Sequence, residues 1–244
     1  MELTPYQKKR ARLAKERDIV KLHLGCGSHY MEGYTNIDIR GVKLDKKADI
    51  RSLEWECGVV NEIRLHHVFE HFSRVVAVAL MIRWVGWLKM QGTLIIEVPD
   101  FGASIKEWED KPELEQWAIL RHLTGDQSQK WGFHKELWTP ERMSELFEMM
   151  GLSGMQLKRA RWPHYPNLCN FTLSGDKRLN KSRKELFLAG KNFLRYSMVS
   201  DSEKATFNIW VEQMRGMVYD NEYPFGYCPC NNTQKAVVPN SMPE

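Results

Sequence analysis

The sequence predicts an α/β fold on a mostly parallel sheet, and three stretches carry that prediction. Val20, Leu22 and Leu24 alternate with Lys21 and His23 as a short strand does, and the run enters the turn Gly25-Cys26-Gly27. Thr35 to Asp38 forms a second short strand that ends on a carboxylate. Gly92 to Val98 is dense in β-branched residues, is closed by Pro99 and does not alternate, as expected of a central parallel strand covered on both faces.

In chain order, residues 1–18 read as a helix with a basic face of Lys8, Lys9, Arg10, Arg12, Lys15 and Arg17. Such a face is most simply solvated, although basic helices also meet nucleic acid or acidic lipid. After the first two strands, Ala48-Asp49-Ile50 is the expected third strand, and Asn61 to Val68 the fourth, which breaks into Glu70-His71-Phe72-Ser73. From Val75 to Leu88 the residues Val75, Val76, Ala79, Leu80, Ile82 and Val85 recur at helical intervals, predicting an amphipathic helix. The segment from Phe101 to Lys130 sets Trp108, Leu114, Trp117 and Leu120 among charges and predicts one or two helices over the ligand edge of the sheet. Thr139 and Pro140 suit the cap and first turn of a helix that turns Met143, Leu146, Phe147 and Met150 to one side and stops at Gly151. Met155 to Ala160 and Cys169 to Ser174 are the last two strands, an antiparallel hairpin with a long loop from Arg161 to Asn167. Lys181 to Tyr219 is helical again, and the polar end from Cys228 reads as a mobile tail.

Composition excludes several classes. With 43% hydrophobic and 27% charged residues over 244, the chain matches a globular protein with room for one α/β domain and an appendage. No run is long enough to span a bilayer, and the N-terminus is too charged for a secretory signal, so a cytoplasmic protein is expected. The five cysteines are odd in number and scattered, which does not suggest a disulfide framework, and Cys228-Pro229-Cys230 lacks a partner pair for a metal. A net charge of +4 is too mild to demand a nucleic-acid partner by itself.

The glycine turn points to a ligand. Glycines tolerate positive φ and leave backbone N–H groups bare, and an acid at the end of the second strand is placed to accept hydrogen bonds from a ribose diol. A Gly-x-Gly alone is most often an ordinary turn. A dinucleotide site needs a third glycine, absent from Ser28-His29-Tyr30, and an acid about twenty residues on. Asp38 follows Gly27 by only eleven, so a nucleoside without a pyrophosphate fits better.

The stretch KLHLGCGSHYMEGYTNID resembles motif I of class I S-adenosylmethionine-dependent methyltransferases, in the compact branch where a LxLGCG strand passes almost directly to GxxNxD. The resemblance covers about Val20 to Asp176, and with HVFEH, VPDF, GDQ and HKxLWTPE it is similar to O-methyltransferases that accompany polysaccharide and glycoside assembly. It implies a Rossmann-like, seven-stranded sheet with helices on both faces and a helical C-terminal extension. The implied layout is the basic helix at 1–18, the methyltransferase domain at 19–178 with a helical insertion at 101–135 carrying the acceptor pocket, and the extension and tail at 179–244. It further implies S-adenosylmethionine as cofactor, with S-adenosylhomocysteine as product. Gly25, Cys26, Gly27 and Asp38 would hold that cofactor, with Asp49 and Ile50 at the adenine and His66 near the cofactor through its backbone.

Methyl transfer needs alignment and removal of a proton from the acceptor. The resemblance places His67 beside the methyl group as general base, with His134 and Asp100 as further catalytic candidates; in a structural reading, His71 only begins a helix. Small-RNA 2′-O-methyltransferases carry a Glu-x-x-Glu-His stretch and a later histidine that ligate a divalent metal. This chain is similar in spacing at His67-Val68-Phe69-Glu70-His71 and His134, but His67 replaces the first acid, and no metal is assigned. The expected activity is O-methylation of a sugar, glycan or other small hydroxylated acceptor. The alternatives are an RNA ribose 2′-O-methyltransferase with a divalent metal at Glu70, His71 and His134, and a non-catalytic cofactor-binding scaffold.

Overall fold

The computed structural model describes residues 19–162 and 164–220. The expected basic helix and the polar tail lie outside the described residues. Seven strands form one sheet in the order β3-β2-β1-β4-β5-β7-β6: β1 (Val20–Leu24), β2 (Thr35–Asp38), β3 (Lys46–Lys47), β4 (Val60–His66), β5 (Leu88–Pro99), β6 (Leu152–Trp162) and β7 (Tyr165–Lys177). The pairs among β1 to β5 are parallel, and β7 runs antiparallel to both β5 and β6. This is the Rossmann-like α/β arrangement the sequence predicts.

The register explains the layering. Leu22 faces Ile63 and Thr35, Ile63 faces Leu94, and Ile96 faces Leu173, so these apolar residues share one sheet face. That face is buried against α1 (Arg74–Trp87) and α4 (Pro140–Met149), over which α5 (Arg183–Arg195) and α6 (Lys204–Arg215) pack in a second layer. The alternate positions Lys21, His23, Glu62, Arg64, His66, Thr93, Glu97 and Thr172 make the opposite face polar. Among the described residues, cover on this side comes at its carboxyl end, where Ile119 and Leu123 on α3 (Glu113–Thr124), with Phe101 and Trp108 on α2 (Phe101–Glu109), pack on Leu168.

Three elements differ from expectation. The third strand lies at Lys46–Lys47 rather than at Ala48-Asp49-Ile50, because Asp38 pairs with Lys47 and Asp49 then folds its carboxylate onto Arg51 N–H at 2.9 Å, ending the strand. The helix α1 is buried all round, not amphipathic: Ala77, Val78, Met81, Trp84 and Trp87 are inaccessible as well. A helix apolar on every side needs cover on every side, and α5 and α6 supply it on the side away from the sheet. The hairpin loop is much shorter, since Trp162 pairs with Tyr165 and Arg161 Nη1 donates to the Pro166 carbonyl at 2.9 Å. Thr139 caps α4 through its hydroxyl, and the capping box of Ser182 and Glu185 starts α5. Cys26 and Cys169 are free thiols, whereas Cys57 is disulfide-bonded. Among the described residues no helix is long and apolar enough to cross a membrane.

Candidate active site

Strand order reverses beside β1, with β2 and β3 on one side and β4 on the other. In an open α/β sheet, ligands bind in the crevice outside the carboxyl ends of the strands at such a reversal. There β1, β2 and β4 present the Gly25 turn, Asp38 and the pair His66-His67.

The half of the crevice at β1 and β2 is built from backbone. Gly25 and Gly27 have φ of 69° and 54°. A Cβ on Gly25 would lie 2.4 Å from Val68 Cγ2, so only glycine lets the turn pass that side chain, whereas nothing stands within 4 Å of a Cβ built on Gly27. Gly27 N–H donates to Asp38 Oδ2 at 2.8 Å, and Arg40 N–H donates to Asp38 Oδ1 at 3.0 Å. Each carboxylate oxygen retains a lone pair for a ligand. Cys26 is buried; burial, and then the charge of Asp38, push its thiol pKa up, so it stays neutral. The short link between β1 and β2 holds no helix and is stapled by Asn36, which is wholly buried. Its Nδ2 donates to the Met31 and Tyr34 carbonyls and to Asp45 Oδ2, while its Oδ1 accepts from Met31 N–H and faces His23 Nδ1.

Asp49 and Ile50 sit further along the same edge. Asp49 is held by Arg51, whose Nη2 donates to Oδ2 at 2.6 Å; burial opposes ionisation, but these contacts keep the carboxyl below its ordinary pKa. Its carbonyl accepts from Ser52 N–H and hydroxyl, each at 3.0 Å, so Asp49 forms a capped turn. Ile50 is buried. His66 stands edge-on to His23, and burial lowers its pKa, leaving the ring neutral at pH 7.

The other half is a cluster of histidines and acids. His67 has φ of 52°, a strained value for a non-glycine residue. Its Nδ1 lies 3.3 Å from Glu70 Oε1 and its Nε2 3.5 Å from Glu97 Oε1. Burial of the ring opposes protonation, but Glu70 and Glu97 outweigh it and hold the pKa up at about 9. Contact with His67, against partial burial and with help from the Thr172 hydroxyl at 2.8 Å, brings Glu97 down to about 2. His67 and Glu97 are therefore a charged pair at neutral pH.

Glu70 is 1% exposed, and burial disfavours its charge; His67 leads the contacts that lower its pKa nonetheless. The approach of His67 lacks hydrogen-bond geometry, so neither Glu70 oxygen has a hydrogen-bond donor among the described residues. His134 Nε2 stands 3.9 Å from Glu70 Oε1, and burial lowers the His134 pKa, keeping the ring neutral. His71 Nδ1 faces the Phe133 carbonyl at 3.1 Å, which turns Nε2 the other way. One ligand atom from each of Glu70, His71 and His134 falls within 4.8 Å of the others. A buried carboxylate with orphaned oxygens beside two imidazoles fits a divalent cation, as does the orientation of His71 by a carbonyl.

Asp100 stands apart from this cluster. It is buried and caps α2 through Ala103 N–H at 3.0 Å, while Oδ2 meets Arg159 Nε at 3.3 Å. Both of its carboxylate oxygens are thus engaged, one by the helix cap and one by the ion pair. Sequence reasoning missed Glu97, Asn36, His122 and Trp162. Glu97 had a signal, a lone charge inside an apolar strand. The other three become visible only in the fold, where Asn36 on β2 meets His23 on β1 and Trp162 on β6 meets His122 in the insertion.

No family model matches the sequence, and no curated protein matches it. Among solved structures, the chain is similar to 1,6-didemethyltoxoflavin-N1-methyltransferase of Burkholderia thailandensis, crystallised with 1,6-didemethyltoxoflavin and S-adenosylhomocysteine, at 14% identity and TM-score 0.47 over 69% of this chain and 74% of that one. It is also similar to an S-adenosylmethionine-dependent methyltransferase of Methanosarcina mazei, at 16% identity and TM-score 0.45 over 74% and 100%. A third is the N-methyltransferase NodS of Bradyrhizobium japonicum bound to S-adenosylhomocysteine, at 10% identity and TM-score 0.44 over 72% and 89%. With scores this low, function is read from the site itself.

Proposed function

We infer that the chain is an S-adenosylmethionine-dependent O-methyltransferase acting on a hydroxyl of a sugar, glycan or other small hydroxylated acceptor. The observation that carries this reading is the joined pair of Gly27 N–H and Asp38 carboxylate at the strand-order reversal, beside open space at Gly27. An adenosine fits there with its ribose diol on Asp38, and no feature of the turn serves a pyrophosphate. The carboxylates of Glu70 and Glu97 complement a sulfonium, and that attraction is lost when the product thioether forms.

When bound, the cofactor supplies an electrophilic methyl group. The acceptor oxygen bonds to the methyl carbon as the carbon–sulfur bond breaks, its electron pair passing to sulfur. The chain aligns the two and accepts the acceptor proton. His67 is the proton acceptor in this reading, since its ring is partly open and Glu97 and Glu70 stabilise the imidazolium it becomes. With a cationic methyl donor held beside the same carboxylates, the His67 pKa would fall from about 9 and the ring would be free for this task. His134 and Asp100 hold the surroundings in place.

The orphaned oxygens of Glu70 favour a second reading, in which Glu70, His71 and His134 hold a divalent cation that polarises a ribose 2′-hydroxyl. Two imidazoles and one carboxylate suit Mn²⁺, Fe²⁺ or Zn²⁺ better than Mg²⁺. Incubating the full chain with methyl-labelled S-adenosylmethionine and, in separate reactions, a glycan extract and small RNA separates the readings. Alkali-stable label in the glycan fraction is expected. Label only in RNA, and only with added Mn²⁺, would support the second reading. Donor binding with no labelled product in either arm would overturn both and leave a cofactor-binding scaffold.

A further inference from the structure

Trp162 lies at the tip of the hairpin, 42% exposed. Its ring stands 5.9 Å from that of His67 and 5.8 Å from that of His122, at interplanar angles of 90° and 75°. The tip is tied down on both sides. Arg161 pairs with Glu107 on α2, Asn167 bonds Glu115 on α3, and His122 Nε2 reaches the Cys169 carbonyl at 3.2 Å. A large aromatic surface held rigid beside a candidate proton acceptor offers contact area at little cost in side-chain freedom.

The surroundings select the ligand. Trp162 follows Lys158 and Ala160 on the sheet face that carries Thr172 and Asn170, and Glu97 pairs across from Thr172. Hydroxyl donors meet carboxylate and imidazole there, beside an apolar ring. Of the neighbouring cations both arginines are engaged, Arg159 with Asp100 and Glu141 and Arg161 with Glu107, which leaves exposed Lys158 against the acids Glu97 and Glu70. A polyanion therefore finds acids and engaged arginines, whereas a neutral polyol with one apolar face finds both its contacts.

We propose that the acceptor is a pyranose whose apolar C–H face stacks on the indole of Trp162, presenting one hydroxyl to His67. This deepens the methyl-transfer reading and rests on it for the identity of the reaction, though not for the binding.

Saturation-transfer NMR on the full chain tests this, with a panel of methyl hexopyranosides as probes and catechol and a uridine oligonucleotide as controls, each with and without S-adenosylhomocysteine. Saturation concentrated on the C–H protons of one pyranoside face is expected. Trp162→Ala should weaken it roughly tenfold and Trp162→Phe should largely restore it, with the affinity for S-adenosylhomocysteine unchanged in both. No pyranoside binding at tens of millimolar, binding that survives Trp162→Ala, or binding of the oligonucleotide alone would overturn the proposal. Failure of S-adenosylhomocysteine to bind the unaltered chain would instead remove the methyl-transfer reading, and the pyranoside arm would still decide the role of Trp162.

Discussion

Replacing Glu97 by Gln removes one partner of the His67 ion pair while keeping the side chain's shape. Glu97 ionises at about 2 in the folded protein against an ordinary value of 4.5, and its side chain is 28% exposed. A shift of that size corresponds to about 3 kcal/mol as an upper bound, and partial exposure brings the expected loss to about 2 kcal/mol. A carboxylate with a depressed pKa stabilises the fold above its unfolded value, and that contribution fades as pH falls from 4.5 toward 2. His67, raised from 6.5 to about 9, stabilises below 6.5 and loses the effect as pH rises through 9. The two describe one interaction, so the difference between the unaltered protein and Glu97→Gln should peak between pH 4.5 and 6.5. It should shrink on both sides of that window. Urea unfolding at a series of pH values measures it. A difference that stays constant from pH 3 to 10 would refute the paired-charge description.

Gly25→Ala should destabilise through positive φ and through the 2.4 Å clash with Val68 Cγ2; adding Val68→Ala relieves only the clash, so the double variant should show a coupling of about 1 kcal/mol in urea unfolding. Additive effects would contradict the contact. Asn36→Ala should cost about 3 kcal/mol, because it orphans buried partners in the staple between β1 and β2; an unchanged melting temperature would show that the network contributes nothing. In the second reading, metal-stripped protein should melt higher on adding Mn²⁺ or Zn²⁺, and His71→Ala or His134→Ala should abolish that rise. A rise retained in both variants would place the ion elsewhere.

The strands and capped helices were legible because their signals are local: alternation in β1, the unbroken apolar run of β5, and Thr139-Pro140 at the start of α4. The third strand was misplaced by two residues because a two-residue edge strand of lysines carries no apolar pattern. The burial of α1 on all sides was hidden for a different reason, since its second cover comes from α5 and α6 about a hundred residues later. At the site, Gly25, Gly27, Asp38 and the cluster around His67 were visible as motifs. The protonation of His67 was not, because it depends on Glu97 as well as on nearby Glu70, and strand pairing is what brings Glu97 beside it. Asp100 stands at a strand end, yet one oxygen is taken by the helix it starts and the other by Arg159. Trp162 read as part of a loop until pairing with Tyr165 drew it into the hairpin.

Asp38 is where the assignment can be decided with least ambiguity. Calorimetric titration of the full chain with S-adenosylhomocysteine should show one site, and Asp38→Ala should weaken it about a hundredfold, the equivalent of two lost hydrogen bonds to a charged acceptor. An unaltered chain that takes up no S-adenosylhomocysteine, or a variant that binds it equally well, would contradict the account.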